Sequence, residues 1–136
     1  MKKYVLDACA LIAVLNKEPG AELVKKLLEQ PQGETKIYMN IVNLLEVYYG
    51  LLREYGADTA RNILTSIKSS PIILIDTITE PVFVGAAKLK SKYKLSLADS
   101  FALAEGIAND AAVITSDHHE FDKIEKSENI AFLWIR

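Results

Sequence analysis

The chain alternates between short runs rich in Val, Ile, Leu and aromatic residues and longer stretches whose apolar residues recur with helical spacing. This alternation is typical of an α/β domain with a largely parallel sheet. The predicted strands are Tyr4–Leu6, Lys36–Met39, Ile72–Ile75, Ala112–Thr115 and Ile130–Ile135. The predicted helices are Ala21–Gln30, Asn43–Tyr55, Asp58–Ser69, Pro81–Tyr93 and a last long one that opens at Ser96.

Length and composition limit the classes of protein that fit. With 136 residues, half of them apolar, we expect one domain over residues 1–136 with a substantial core. The single cysteine, Cys9, excludes an internal disulfide and favours a reducing compartment. The longest stretch free of polar side chains, Ala8–Leu15, is far shorter than the roughly 20 residues needed to cross a bilayer. We therefore expect a cytoplasmic protein with no membrane partner.

Four acidic residues are the candidates for chemistry. Asp7 directly follows the first predicted strand and Asp117 follows the fourth. Ligands of parallel α/β sheets bind at the carboxyl ends of the strands, so both acids belong to that edge. Glu46 and Asp99 lie early in predicted helices, and helix starts lie near the same edge. Acids that are far apart in the sequence are thus predicted to converge.

A cluster of carboxylates needs a cation. Two carboxylates about 4 Å apart repel by roughly 4 kcal/mol at an effective dielectric constant near 20. Oxygen ligands without thiolate or imidazole partners favour Mg²⁺ or Mn²⁺ over zinc. Such an ion can lower the pKa of a bound water and stabilise a phosphoryl oxygen, which are the two requirements of phosphodiester hydrolysis.

Each acid also has a purely structural interpretation. Asp99 is the third residue after Ser96, and Glu46 is the third after Asn43, so both spacings fit a capping motif at a helix start. The two acids that follow strands could equally be turn residues that form local hydrogen bonds. Taken one at a time, the capping interpretation is favoured for Glu46 and Asp99.

Four sequence blocks carry a resemblance to a known family. In chain order they are YVLDACALIAVL, IVNLLEVYYGL, LSLADSFALAEGIAND and AVITSDHHEF, and they extend from Tyr4 to Phe121. Together they resemble the four signature blocks of the PIN domain, and most closely those of the short VapC-type toxins of toxin–antitoxin pairs. Each block alone is a weak signal, but their order and the register of their acids are fairly specific.

The resemblance implies a Mg²⁺- or Mn²⁺-dependent endoribonuclease on a PIN-like, Rossmann-like three-layer α/β/α fold with a five-stranded parallel sheet of order 3-2-1-4-5. It implies an RNA substrate, a homodimer and a cognate antitoxin that covers the site. Carried over residue by residue, it makes metal ligands and catalytic acids of Asp7, Glu46, Asp99 and Asp117, and accessory residues of Thr115 and Glu120.

One departure from the family pattern lies in the first block. Many relatives have Ser or Thr two residues after the first acid, whereas this chain has Ala8 and then Cys9. Hydroxyl support to a metal ion from that position is therefore missing. We expect Cys9 to be a small buried residue, because nothing in the sequence pairs it with a histidine base.

Other classes of protein fit the sequence less well than a nuclease does. A phosphoacceptor receiver domain would use Asp76 after the third strand, but it needs a paired acid beside Asp7 and a lysine after the last core strand, and this chain has neither. A haloacid-dehalogenase-like phosphatase needs a D-x-D motif, and Asp7 is followed by Ala8 and Cys9. The stronger rival is a PIN-fold module that binds RNA or protein without cutting. Retention of four mutually repelling acids argues against it.

Charge outside the proposed site does not oppose RNA binding. The net charge is −2, but setting aside the four candidate acids leaves 14 acids against 16 Lys and Arg. The lysine-rich segment Lys88–Lys94 would place its lysines on both flanks of a packed helix, so we expect most of them to be solvated rather than to bind RNA. His118 and His119 are predicted to lie in an exposed loop and not to bind metal.

Overall fold

A parallel five-stranded sheet organises the structure, a computed structural model that describes residues 1–31 and 33–136. The strand order is β3-β2-β1-β4-β5, as the resemblance implied. β1 is central, and its Val5 pairs with Tyr38 on one side and Val113 on the other. The strands are β1 (Lys2–Leu6), β2 (Thr35–Asn40), β3 (Ile73–Ile75), β4 (Ala112–Thr115) and β5 (Phe132–Trp134).

Helices cover both faces of the sheet, which makes the fold a three-layer α/β/α arrangement. Leu6 and Ile114 share one core with the first four helices, while Val5 and Val113 share another with the last three. This division follows from the alternation of side chains along a strand. In the described part of the chain the helices are α1 (Ala8–Leu15), α2 (Ala21–Leu28), α3 (Ile41–Tyr55), α4 (Ala57–Lys68), α5 (Glu80–Lys92), α6 (Leu97–Ala108) and α7 (His118–Ser127).

Two of these helices are absent from the sequence-based prediction. α1 is not predicted because the run Ala8–Leu15 is apolar on every side, so no apolar stripe with helical spacing can be recognised in it. α7 escapes because His118 and His119 were predicted to lie in a loop, whereas they are its first two residues. Both histidines are exposed, as predicted. The loop prediction was wrong because a cap at Asp117 starts a helix there.

The start of α3 also differs from the prediction. The helix begins at Ile41 rather than Asn43, because the Oδ1 of Asn40 accepts a hydrogen bond from the Val42 amide at 2.8 Å and caps it. Asn43 is therefore inside the helix. The capping interpretation of Glu46 is wrong, since its supposed partner is not the cap.

α3 has apolar residues both on its buried face and on an outward face. Leu44 and Leu51 face the core, but the side chains of Leu45, Tyr49 and Leu52 are 60%, 50% and 36% exposed. Their spacing of four and three residues places them on one outward face of the helix. α3 thus carries a second apolar stripe that is partly exposed to solvent.

α6 lies unusually close to the sheet, and a glycine permits it. A Cβ added at Gly106 would stand 2.8 Å from the Cγ2 atom of Val113 on β4. This close approach accompanies the burial of most of the helix. None of the helices described above is long and apolar enough to span a membrane.

Candidate active site

Asp7 lies at the carboxyl end of the central strand and begins the first helix. It is the N-cap of α1, and its Oδ1 accepts a hydrogen bond from the Ala10 amide at 2.8 Å. The Thr115 side chain, at the end of β4, also hydrogen-bonds to this carboxyl group. Only 2% of Asp7 is exposed to solvent. A polar side chain is therefore held at the meeting point of β1, β4 and α1.

The pKa of Asp7 is raised from 3.8 to about 7. Burial is the main cause, and the negative charges of Asp99 and Asp117 add to it. Hydrogen bonds from Thr115 and Ala10 oppose the shift without cancelling it. Near neutral pH the ionised carboxylate is therefore costly at this position unless a positive charge joins it.

Asp117 lies beside Asp7 at the end of the neighbouring strand. Its carboxylate caps α7 by accepting a hydrogen bond from the Glu120 amide at 3.1 Å. Its own amide donates to the Oγ1 of Thr115 at 3.0 Å. Thr115 is fully buried, and it is hydrogen-bonded to both aspartates through its side chain. This threonine joins the two acids that follow strands.

Asp99 approaches from the other side, in the first turn of α6. The predicted cap is present, because the Oγ of Ser96 accepts a hydrogen bond from the Asp99 amide at 3.0 Å. The carboxyl group is half-buried, and its pKa is raised to about 6, first by burial and then by the charges of Asp117, Glu46 and Glu120. Asp99 is therefore both a helix-start residue and a member of the acidic group.

Glu46 stands at the rim of the group, in the second turn of α3. It is half-buried, and burial raises its pKa above 4.5. Its negative charge raises the pKa of Asp99, which places it on the same side of the site. Beyond it, a shallow groove is lined by Ile12, Glu46, Tyr49, Gly50, Arg53 and Glu54.

The donor set of this site suits a hard divalent cation. The structure brings carboxylates from four separate parts of the sequence within electrostatic range of one another. In residues 1–31 and 33–136, no Lys, Arg or His forms an ion pair with Asp7, Glu46, Asp99 or Asp117. Over the same residues, no three His, Cys, Asp or Glu side chains are already grouped so as to hold a metal ion. Binding one would therefore draw the carboxylates closer together.

Cys9 makes a contact that the sequence did not predict. Its sulfur lies 2.9 Å from the Oγ of Ser116, the residue between Thr115 and Asp117. The side chain is half-buried rather than buried, and burial is the main cause that raises the pKa of its thiol. A hydroxyl of the fourth block, that of Ser116, thus contacts the residue of the first block that lies two positions after Asp7.

Two lysines of the segment Lys88–Lys94, and one of the two adjacent histidines, have partners within the protein. Lys90 donates to the Leu95 carbonyl at 2.8 Å, and Lys92 pairs with Glu128 at 3.6 Å. The ring of His118 stacks on that of Trp134 with centroids 4.0 Å apart. These contacts tie Lys90, Lys92 and His118 to neighbouring parts of the protein rather than to the acidic group.

Comparison with known proteins gives a family match and several similar solved structures. The profile of the PIN domain family matches residues 4–127, and no curated protein sequence matches the chain. Among solved structures, VapBC2 of Rickettsia felis bound to a promoter DNA fragment superposes with a TM-score of 0.76, 18% identity and coverage of 96% of this chain and 97% of that one. VapBC-1 of nontypeable Haemophilus influenzae gives a TM-score of 0.75 and 16% identity over 98% of both chains.

A third neighbour is a toxin with a described target. VapC20 of Mycobacterium tuberculosis, titled a sarcin–ricin-loop-cleaving toxin, superposes with a TM-score of 0.63, 16% identity and coverage of 81% of this chain and 86% of that one. At these identities the superpositions show a shared fold. The receiver-domain and phosphatase alternatives are excluded by the family match.

The raised pKa of Asp7 makes a prediction about stability without metal. Because the folded-state pKa of about 7 lies above the ordinary value of 3.8, Asp7 stabilises the fold below pH 4 and this contribution is lost as pH rises to about 7. Asp7→Asn keeps the helix cap but cannot ionise. In EDTA, the free energy of unfolding of Asp7→Asn, relative to that of the wild type, should therefore rise by up to about 4 kcal/mol as the pH is raised from 4 to 8.

Urea denaturation at pH 4, 6 and 8 measures this difference. Asp76→Asn is the matched control, because Asp76 is exposed and outside the acidic group. The control should follow the wild type at every pH. A constant offset between Asp7→Asn and the wild type across this range would contradict the electrostatic account.

Proposed function

The chain belongs to the PIN-domain family, and on that premise we propose that it is an endoribonuclease that hydrolyses RNA phosphodiester bonds with a bound Mg²⁺ or Mn²⁺ ion. The observation that carries the proposal is the pair of raised pKa values at Asp7 and Asp99, about 7 and about 6. Acids this costly to ionise, at the ligand-binding edge of a parallel sheet, are explained by a cation that they bind together.

The proposed ligands are Asp7, Glu46, Asp99 and Asp117, whose oxygens are of the type that Mg²⁺ and Mn²⁺ prefer. When bound, such an ion supplies a water of lowered pKa and positive charge against the phosphoryl oxygens.

The protein's own residues orient the proposed ligands. Thr115 and the Ala10 amide fix the direction of the Asp7 carboxyl group, and Thr115 also fixes the backbone at Asp117. The Ser96 cap sets the first turn of α6 and hence the place of Asp99. We assign Thr115 and Glu120 accessory roles, since one orients acids and the charge of the other raises the pKa of Asp99.

Glu46 is suited to meet the substrate because it is half-exposed at the mouth of the groove that also holds Tyr49 and Arg53. An RNA strand lying in this groove would have an aromatic face available for stacking and a guanidinium available for phosphate contact. The proposed substrate is therefore accessible, unpaired RNA.

We also propose that the chain is the toxin of a toxin–antitoxin pair, acting in the cytoplasm as a single PIN domain over residues 1–136. The similar structures from R. felis and H. influenzae are VapBC pairs, which supports an antitoxin partner. The exposed stripe of Leu45, Tyr49 and Leu52 lies next to Glu46 on α3. A protein that covered this stripe would also obstruct the groove and so inhibit the enzyme.

Metal-dependent cleavage is the direct test of the proposed activity. Purified protein should cleave within the unpaired loops of a panel of structured RNAs in Mg²⁺ or Mn²⁺, and cleavage should stop in EDTA. Asp99→Asn and Asp7→Asn should each lower the rate at least about a hundredfold, because each removes a proposed ligand. The rate is followed by gel electrophoresis of end-labelled RNA.

Asp76→Asn controls for the loss of a carboxylate elsewhere and should keep full activity. Cleavage that persists in EDTA would refute the metal-dependent mechanism. RNA binding without cleavage of any substrate would instead favour the non-cleaving PIN module.

We also propose that the chain forms a homodimer, which is tested separately by its mass in solution. Light scattering during gel filtration of the isolated protein should give twice the 15.1 kDa mass of one chain. A mass of a single chain at tens of micromolar protein would contradict the dimer, with no bearing on the nuclease proposal.

A further inference from the structure

Two of the proposed ligands lie on different helices, so something must fix the distance between those helices. Glu46 belongs to α3 and Asp99 to the first turn of α6. One polar contact joins the helices at this level: the Nδ2 of Asn43 on α3 donates a hydrogen bond to the Ala98 carbonyl oxygen at 3.2 Å. Ala98 directly precedes Asp99, and Asn43 lies three residues before Glu46, on the same face of its helix.

Burying the Asn43 side chain carries a free-energy cost. Only 1% of it is exposed, and its Oδ1 has no hydrogen-bond partner among the residues that the structure describes. A buried acceptor without a partner destabilises a fold, and an apolar side chain of similar shape avoids that cost. The amide cannot turn round, because its oxygen would then face the oxygen of Ala98.

The bond is also unnecessary for the backbone of α6. Ala98 lies in the first turn of the helix, where its carbonyl accepts the ordinary hydrogen bond from the amide four residues later. The Asn43 amide is therefore an additional donor. Stability alone explains neither the buried, unpartnered oxygen nor the extra bond.

A second polar contact, between the start of α3 and α6, differs from the first in that its polar groups have partners. Asn40, at the start of α3, donates from Nδ2 to the Oε2 of Glu105 at 2.7 Å and caps the helix with its Oδ1. Asn109 donates to the other Glu105 oxygen at 3.2 Å. Every polar group of Asn40 named here has a partner, and the acid that it binds is 2% exposed. This contact has the character of a structural link.

We propose that Asn43 is a positioning residue that holds the first turn of α6, and with it Asp99, at the distance from Glu46 that a divalent ion requires. The proposal rests on the proposed metal-dependent function of the same site. It assigns Asn43 no contact with the ion or with RNA. Its effect passes through the Ala98 carbonyl to the backbone of Asp99.

The test separates metal affinity from stability. Asn43→Leu removes the amide while keeping a branched side chain, and Asn43→Ala removes it without any risk of overpacking; both are better helix formers than asparagine. For each variant, Mn²⁺ affinity is measured by the electron paramagnetic resonance signal of free Mn²⁺, and the melting temperature is measured in EDTA. We expect affinity about tenfold weaker than in the wild type and a melting temperature within about 3 °C of it.

Asn40→Ala is the contrasting variant, since it leaves Glu105 buried without that partner and removes a cap. It should lower the melting temperature by more than either Asn43 variant. Its Mn²⁺ affinity, measured while the protein is folded, should change less than theirs.

The outcomes are distinguishable. Wild-type affinity in both Asn43 variants overturns the positioning role and leaves the proposed function intact. Weaker affinity accompanied by a large loss of melting temperature in both variants also overturns it, because a structural role then explains the result. If the wild type itself fails to bind Mn²⁺, the proposed metal-dependent function fails, and this inference fails with it.

Discussion

Burial of carboxyl groups that lie close to one another is the constraint around which this end of the molecule is built. Asp7 is almost completely buried beside Asp117, and Asp99 faces both. Three helix N-termini offset part of the free-energy cost of ionising these carboxyl groups. Asp7 caps α1, Asp117 caps α7, and Asp99 lies in the first turn of α6. The partial positive charge of a helix N-terminus stabilises an anion there. The raised pKa values of Asp7 and Asp99 indicate that this compensation is incomplete, so the site still favours a cation.

Structural and functional interpretations of the acids turn out to be compatible. The capping motif predicted from Ser96 and Asp99 is present, and Asp99 is nonetheless in the acidic group. A cap needs a carboxylate or hydroxyl at a helix start, and helix starts in this fold lie at the carboxyl edge of the sheet. A residue there can orient a helix and remain available to a ligand. Glu46 is the exception, because Asn40 caps its helix and its burial has no capping explanation.

The positions of the strands and the approach of the four acids to one another could be predicted from the sequence by simple rules, whereas the strand order was implied by the family resemblance. β4 coincides with its predicted bounds, and the acids follow strand ends and early helical turns. α1 was missed because helical periodicity requires a polar face, which an all-apolar helix lacks. The roles of Thr115, Ser116 and Asn43 depend on contacts with Asp7, Cys9 and Ala98, each more than 50 residues away. No local pattern encodes which distant carbonyl or carboxylate an amide or hydroxyl will reach.

The central claim is that this acidic group is costly alone and is neutralised by a divalent cation. The most direct measurement is the pKa of the Asp7 carboxyl group, followed by ¹³C NMR of aspartate-labelled protein, with Asp7→Asn to assign the signal. The account predicts a pKa near 7 in EDTA and a fall of at least about one unit in saturating Mg²⁺. A pKa near 4 in EDTA, or one that Mg²⁺ leaves unchanged, would contradict it.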